Sequence, residues 1–304
     1  MNIKNINNYK SMFIILTPLV LLVTLLSVTY FITYELDIQR KDDTIFYNKY
    51  RAKEYYWRMV WASLFVIIIF LSAVNSWHSI KIIINHISDM ENSIKIKIAL
   101  MIGLLVSGLL YLLGNGGYFG SVKDLLDKST FFFERVSMQK YVDVLFIITS
   151  ITGVMITLSS GALMYCKGNL DLKRLKEKIR DFKRSFYLTS IYLGLAIIQF
   201  FSLSTWSSFA SGVDESHYKI IHAITLSSSL LYTMVFVIIF VPVSIRIRGW
   251  IEIIVEKSDL DTPEKIKKWK VEEGLYDSPG NNIRQLLILL SPVLIGFISS
   301  FIGK

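Results

Sequence analysis

Long apolar stretches alternate with charged segments along the whole chain. A helix needs roughly 20 apolar residues to cross the hydrocarbon core of a bilayer, and a spanning helix satisfies every backbone amide internally. The pattern therefore predicts an all-α, polytopic transmembrane helical bundle with about seven spans. The seven stretches fall near residues 12–34, 59–78, 98–114, 142–165, 186–208, 219–243 and 286–302.

The last apolar stretch is the weakest of the seven. Residues 286–302 are only 17 in number and include Pro292. If this segment re-enters the membrane or lies on its surface, six spans remain. Both alternatives stay open.

Lysine and arginine accumulate on alternate loops. With seven spans, 21 of these residues fall on the side of the amino terminus and 12 on the other side. Basic residues collect on cytoplasmic loops because their translocation is unfavourable. We therefore expect the amino terminus to be cytoplasmic, in a cytoplasmic (inner) membrane. The formal net charge of +9 is then a topology signal, and with no aromatic–basic motif beside it we expect no nucleic-acid partner.

The composition leaves little room for a separate soluble domain. Of 304 residues, 53% are hydrophobic and 19% are charged, against roughly 45–50% and 25% in soluble domains. We expect one membrane domain over residues 1–304.

A basic helix is predicted at the inner side over residues 166–186, extending the fifth span. Its apolar residues recur at intervals of three and four, which is typical of an amphipathic helix: Leu172, Leu175, Ile179, Phe182 and Phe186. This apolar line is expected to pack on a neighbouring loop or anionic headgroups, or else to pair with a copy in another subunit. The polar face carries Lys173, Arg174, Arg180 and Arg184.

Residues 244–285 are predicted to form a cytoplasmic helical hairpin. Thr262 followed by Pro263 is a helix-start signal, and the segment after it carries Lys267, Lys268 and Trp269. Juxtamembrane basic clusters gain about 1 kcal/mol per residue from anionic lipid. We expect these two inner segments to dock on anionic headgroups or on a soluble cytoplasmic protein.

No pattern in the chain indicates enzymatic chemistry, so we expect a non-enzymatic protein without catalytic, cofactor-binding or metal-binding residues. The four histidines are His78, His86, His217 and His222, and none begins the His-Glu-x-x-His pattern of a zinc protease. The short segment Asp214–His217 is the only acidic cluster with a histidine, and a solvated outer loop is its expected role. The apolar stretches show no acid or base at mid-depth.

Small and polar residues in register suggest where the helices pack or line a polar path. Small residues four apart allow helix backbones to approach closely in lipid, and Gln199, Asn75 and hydroxyl groups are the polar side chains within the stretches. The residues that we expect to pack helices or line a pore are Thr149, Gly153, Thr157, Gly161, Thr225, Ser229, Thr233, Gln199 and Asn75.

The sequence thus favours a self-associating, pore-type or membrane-perturbing protein gated by a cytoplasmic partner. One setting that suits such a protein is a bacterial stress or antiviral defence system. Two alternatives remain: a small-solute carrier with a midplane pocket around Gln199 and Asn75, and a membrane scaffold that recruits a soluble protein.

Overall fold

The computed structural model describes residues 45–87, 135–166, 171–211, 215–258, 262–273, 275, 287–288 and 290–302. Within these ranges the chain is helical, with six α-helices and no strand. The predicted first and third spans, near residues 12–34 and 98–114, lie outside the described residues. In chain order the helices are α1 (Ile45–His86), α2 (Arg135–Leu163), α3 (Leu172–Ser211), α4 (Glu215–Glu256), α5 (Pro263–Glu272) and α6 (Ser291–Ile302).

Four helices are long and apolar enough to cross a membrane: α1, α2, α3 and α4. At 42 residues, α1 is about 63 Å long, roughly twice the hydrocarbon thickness of a bilayer. Only 22% and 28% of the most apolar windows of α2 and α4 are buried inside the protein, against 61% for α3. The exposed apolar surface of α2 and α4 fits contact with lipid, and α3 is the central helix.

Helices α1 and α3 run antiparallel and form the most extensive pairing in the described bundle. Near the start of α1, the Trp206 indole Nε1 donates a hydrogen bond to Glu54 Oε1 at 2.8 Å. Further along, Ser72 Oγ donates to Tyr192 Oη at 3.2 Å. As residue numbers rise along α1 they fall along α3.

The directions of α2 and α4 follow from their contacts with α1 and α3. Helix α2 lies parallel to α1, since Ser76 meets Thr152 and Ser79 meets Ser159 further along both helices. Helix α4 lies antiparallel to α3, where a cluster of phenylalanines (Phe186, Phe236 and Phe240) and Ile156 of α2 close the contact. The relative directions are those expected of a multi-pass bundle.

Exposed basic side chains surround the end of the bundle where α1 and α4 finish and α3 begins, which we call the basic end. Lys81, Arg184, Arg246 and Arg248 are all exposed there. Asp171 caps α3 at this end, its Oδ1 accepting a hydrogen bond from the Arg174 backbone amide at 2.8 Å.

The apolar line of the basic helix is buried within the chain. Leu175 and Phe186 are buried, and Leu172, Ile179 and Phe182 pack against the same clusters. Partners come from three helix ends and from Leu275, which follows α5. The described residues of this line therefore pack mainly on the ends of α1, α2 and α4 of the same chain.

Helix α5 begins at Pro263, and its end lies beside the first turns of α3. Thr262 precedes it in extended conformation but makes no side-chain capping hydrogen bond. The Lys176 ammonium forms an ion pair with a Glu273 carboxylate oxygen at the end of α5. Residues 244–256, predicted within the hairpin, continue α4 without interruption.

Helix α6 is described over 12 residues, which cover about 18 Å. It packs parallel to α3, where the Ser190 and Ser291 hydroxyls lie 2.8 Å apart, and it also contacts α4. Within the predicted stretch 286–302, the described residues of α6 therefore pack on α3 and α4.

Two predicted loops are partly helical. Between the first and second predicted spans, where an outer loop is expected, the chain is helical from Ile45 onward. Within this helix Glu54 and Arg58 form an ion pair one turn apart. The acidic segment with His217 was expected in a loop, but α4 already begins at Glu215. Hydropathy marks the lipid-soluble part of a helix, and these helices continue beyond it.

Candidate functional site

One unbroken line of buried side chains runs along α1 where it faces its neighbours. The positions recur at intervals of three and four, the spacing of a helix packed along its length against a partner. The chemistry changes along the line, from a charged pair through aromatic and aliphatic residues to polar residues and a histidine. In order the residues are Glu54, Arg58, Trp61, Phe65, Ile68, Ser72, Asn75, Ser79, Ile82 and His86.

The polar half of this line meets hydroxyl groups from α2 and α3. Besides the Ser72–Tyr192 hydrogen bond, Ser76 Oγ and Thr152 Oγ1 are 3.3 Å apart, and Ser159 Oγ donates to Ser79 Oγ at 3.2 Å. All except Ser76 are buried. We call this set the polar seam: Ser72, Asn75, Ser76, Ser79, Thr152, Ser159 and Tyr192.

At the basic end the seam leads to ionisable groups. His86 Nε2 lies 3.3 Å from Asp181 Oδ2, and Lys178 Nζ lies 3.4 Å from His86 Nδ1. Lys178 is completely buried; its ammonium also donates to the Tyr165 carbonyl at 2.8 Å and lies 5.7 Å from the Trp250 ring centroid. A buried ammonium is tolerated only with such partners.

His78 lies between these groups and the polar seam. It is 6% exposed, and its Nε2 has no hydrogen-bond partner among the residues that the structure describes. Together with His86, Lys178 and Asp181 it forms what we call the His–Asp–Lys cluster.

At the other end the seam is closed by an apolar cluster, which we call the aromatic plug: Trp61, Ala62, Phe65, Leu203 and Trp206. The Trp61 and Trp206 rings are 5.6 Å apart, and those of Trp61 and Phe65 are 5.4 Å apart. Beyond the plug Glu54 is buried again, paired with Arg58 at 3.5 Å and with the Trp206 indole. Polar groups thus lie on both sides of an apolar barrier.

The stripe of small residues predicted in α4 is buried and meets α6. Thr225, Ser229 and Thr233 are buried, and a Cβ built on Gly296 would lie 2.5 Å from Ser229 Cβ. The backbones approach as closely here as glycine allows, as expected of small residues in lipid.

The stripe predicted in α2 lies away from the polar seam. Thr149, Gly153, Thr157 and Gly161 are all partly exposed. A Cβ built on Gly153 or Gly161 would meet no atom of the described residues within 4 Å. The α2 face that meets α1 carries Thr152 and Ser159 instead.

The two predicted amides do not share a pocket. Asn75 and Gln199 are both buried, but Asn75 Nδ2 donates to the Leu71 carbonyl of its own helix at 3.0 Å. Because Ser72 pairs with Tyr192, the register places Asn75 and Gln199 about 10 residues, or ~15 Å, apart along the axis. Gln199 lies near the aromatic plug, where its Nε2 has no partner within the described chain.

The predicted docking residues gather at the basic end. Lys173, Arg174, Arg180, Arg184, Lys267 and Lys268 are all exposed. Trp269 differs, since it packs against the apolar cluster at that end. No group of three or more metal-ligating side chains occurs among the described residues.

Most of the seam and both ionic clusters were not predicted. Lys178 and Asp181 lie in the predicted basic helix but were not singled out, and Glu54 lies between the first two predicted spans. One signal was available: positions 72, 75 and 79 are all polar and share a face at a spacing of three and four. The hydrogen-bond partners of the seam and of the ionic clusters lie 76 or more residues away, so no short sequence pattern indicates them.

No protein-family model matches the chain, and comparisons with curated proteins and with solved structures found no match.

Proposed function

We propose that this chain is a non-enzymatic, multi-pass membrane protein that forms a gated ion-conducting path and self-associates. The basic end and the amino terminus face the cytoplasm, with six or seven spans in all. The observation that carries the proposal is the buried polar seam, which joins the His–Asp–Lys cluster to the aromatic plug.

The free-energy cost of polar side chains inside a membrane protein supports the proposed ion-conducting path. Ionisable and polar side chains inside a membrane protein are expensive, and they mark ion pathways and proton relays. Interhelical hydrogen bonds also hold helices together, but each contributes only about 0.6 kcal/mol on average. Packing alone does not call for the buried Lys178 and the partly buried Asp181 at one end, or for the buried Glu54 at the other.

The aromatic plug acts as the gate. Apolar constrictions close channels by excluding water from a short section of the path. Trp61 and Trp206 are both completely buried, and Leu203 fills the remaining contact. The described conformation corresponds to the closed state.

The basic end provides a route by which a cytoplasmic partner or anionic lipid can act on the gate. Helix α5 is tied to α3 through the Lys176–Glu273 ion pair, and Leu275 packs with residues from α1, α2 and α4. Helix α3 carries Tyr192 and Trp206, so a displacement of α5 is transmitted to both the seam and the plug.

Self-association is proposed from the partly exposed α2 stripe. Space next to Gly153 and Gly161 among the described residues permits close approach of another helix. The carrier alternative receives less support, because Asn75 and Gln199 lie at different depths. The scaffold alternative rests on the exposed arginines at the basic end.

The test is ion flux into liposomes containing the purified full-length protein. We expect Trp61→Ala to increase flux, because removing the indole opens the plug to water. If Trp61→Ala does not fold, Leu203→Asn replaces it in the flux measurement, because it keeps the side-chain shape but makes the plug polar. The matched control is Trp77→Ala, since Trp77 is 73% exposed and lies outside the plug.

Flux that rises in Trp61→Ala or Leu203→Asn but not in Trp77→Ala supports the proposal. Saturable uptake of a solute without ion flux would favour a carrier. If helical, monodisperse protein passes no ion in any variant, the gated path is excluded, and capture of a soluble protein that depends on Arg174 and Arg180 would favour a scaffold.

A further inference from the structure

We propose that the species conducted along the polar seam is the proton, relayed by hydroxyl groups and histidines and not carried as a hydrated ion. This inference rests on the proposed function and names its substrate. It follows from the direct contacts that fill the seam and from the groups that lie at its basic end.

The hydroxyls of three helices lie side by side. Ser72 Oγ donates to Tyr192 Oη at 3.2 Å, and Ser76 Oγ and Thr152 Oγ1 are 3.3 Å apart. The Tyr192 hydroxyl neighbours Thr152, so Tyr192 lies next to both pairs. In the proposed relay, these four hydroxyls from α1, α2 and α3 act as one chain.

These contacts leave no space for an ion between the helices. A metal ion in a selectivity filter replaces its hydration shell with a ring of oxygen ligands, and those ligands must surround it. Here Ser72 and Tyr192 bond to each other, and Ser79 and Ser159 do the same. An ion would have to separate α1 from both α2 and α3 to pass.

A proton needs no such space. A hydroxyl is both donor and acceptor, so it can accept a proton on one side and release its own on the other while the oxygen stays in place. Net charge moves along the chain and every hydroxyl is regenerated after its bonds reorient. A buried hydroxyl chain therefore suits a proton and excludes larger ions.

The ionisable groups at the basic end can supply protons to the hydroxyls of the polar seam. Imidazole binds a proton at one ring nitrogen and releases one from the other, which makes histidine a proton shuttle near neutral pH. Asp181 accepts from His86, pairs with Arg180 at 3.8 Å and lies beside His78. Lys178 contacts His86, and Arg184 and Lys81 lie near His78. The proton passes from the His86–Asp181 pair to His78 and then to the hydroxyls at Ser79 and Ser76.

His78 is placed for this transfer. Its Nε2 is buried and has no hydrogen-bond partner in the described part of the chain, so it is available to accept a proton. From His86 to Ser72 the relay covers 14 residues of α1, about 21 Å along the helix axis. The aromatic plug lies beyond Ser72 and blocks the path until it opens.

The experiment measures ion selectivity of the open protein. Full-length protein carrying Trp61→Ala, or Leu203→Asn in its place, is reconstituted in liposomes with a potassium diffusion potential. An internal pH dye reports proton entry, and separate vesicles report sodium, potassium and chloride. We expect proton flux to exceed that of the other ions, each compared at the same concentration.

Tyr192→Phe is added to the open background because it removes one hydroxyl from the chain and keeps the ring. Loss of one hydrogen-bonded link should reduce proton flux by about tenfold. Tyr56→Phe is the matched control, since Tyr56 is 60% exposed, and it should leave proton flux unchanged. Ser76→Ala interrupts the same chain if Tyr192→Phe does not fold.

The outcomes separate the two proposals. Proton-selective flux that falls in Tyr192→Phe but not in Tyr56→Phe supports the relay. If sodium, potassium or chloride passes as readily as protons, or if Tyr192→Phe conducts protons normally, the relay is wrong while the gated path stands. Absence of flux for every ion in both opened variants overturns the gated path and the relay with it.

Discussion

The contact between α4 and α6 gives a prediction that can be worked out from the structure. A Cβ added at Gly296 would lie 2.5 Å from Ser229 Cβ and also contact its Oγ, whereas carbon atoms prefer about 3.5–4.0 Å. Gly296→Ala therefore forces the two helices apart. Overpacking of this kind costs about 1–3 kcal/mol, and better helix propensity offsets up to about 1 kcal/mol. We expect a net destabilisation of about 2 kcal/mol.

A second substitution should reverse the effect. Ser229→Gly removes both atoms that clash, after which the nearest atom to the new Cβ is the Thr225 carbonyl oxygen at 3.6 Å, an ordinary contact. It also removes a hydrogen bond from Ser229 Oγ to the Leu226 carbonyl within α4. In a double-mutant cycle we expect a favourable coupling of at least about 1 kcal/mol between Gly296→Ala and Ser229→Gly.

The assay is unfolding of the purified protein in mixed micelles with increasing dodecyl sulfate, followed by tryptophan fluorescence and helical circular dichroism. Gly153→Ala is the matched control, because a Cβ there meets no described atom within 4 Å, and better helix propensity should leave the protein unchanged or more stable by up to about 1 kcal/mol. If Gly296→Ala is no more destabilising than Gly153→Ala, α6 does not pack on α4 at this position. If Ser229→Gly does not restore stability, the close approach is not the cause.

Two further substitutions test the ionic ends of the seam by the same assay. Lys178→Met should destabilise by about 1.5–3 kcal/mol, since it removes a charged donor from the Tyr165 carbonyl and from His86 Nδ1. The exposed Arg180→Met should cost less than about 1 kcal/mol, since its ion pair with Asp181 lies at the surface, and equal effects would contradict the burial of Lys178. Trp206→Phe should cost about 1.5–3 kcal/mol through the lost indole donor to Glu54, and no change on substitution would show that this hydrogen bond does not stabilise the bundle.

The position of the polar seam has a consequence for the proposed gate. The seam is formed by three helices, and among the described residues α3 forms an ion pair with Glu273 at the end of α5 through Lys176. Tyr192 and Trp206 both lie on α3, so the proposed gate and the proposed relay share one helix.

Much of the fold could be predicted from the sequence. Long apolar stretches and the rule that lipid tolerates only internally bonded backbone predict helices that cross a membrane, and four such helices are described. The continuous helix from Leu172 into the fifth stretch follows from its unbroken three-and-four spacing. The helix ends could not be predicted as well, because Ile45–Tyr56 is amphipathic and polar enough to resemble a loop.

The candidate site was predicted only in part. Asn75 was singled out as a buried polar residue, but Tyr192, Lys178 and Asp181 were not, because their partners lie on other helices. The small-residue rule selected Ser229, which does meet Gly296, and equally selected Gly153, which meets no described neighbour. A local pattern identifies a face of a helix but cannot say which neighbour covers it.

The sequence by itself determined that this protein forms helices apolar enough to cross a membrane, since hydropathy and helical periodicity are properties of short segments of chain. Only the tertiary structure decided that hydroxyls of α1, α2 and α3 join, that Lys178 is buried beside His86, and that Trp61 and Trp206 close the seam. The physical reason is that each of these contacts joins residues at least 76 positions apart, and their interaction energy exists only once the helices have packed.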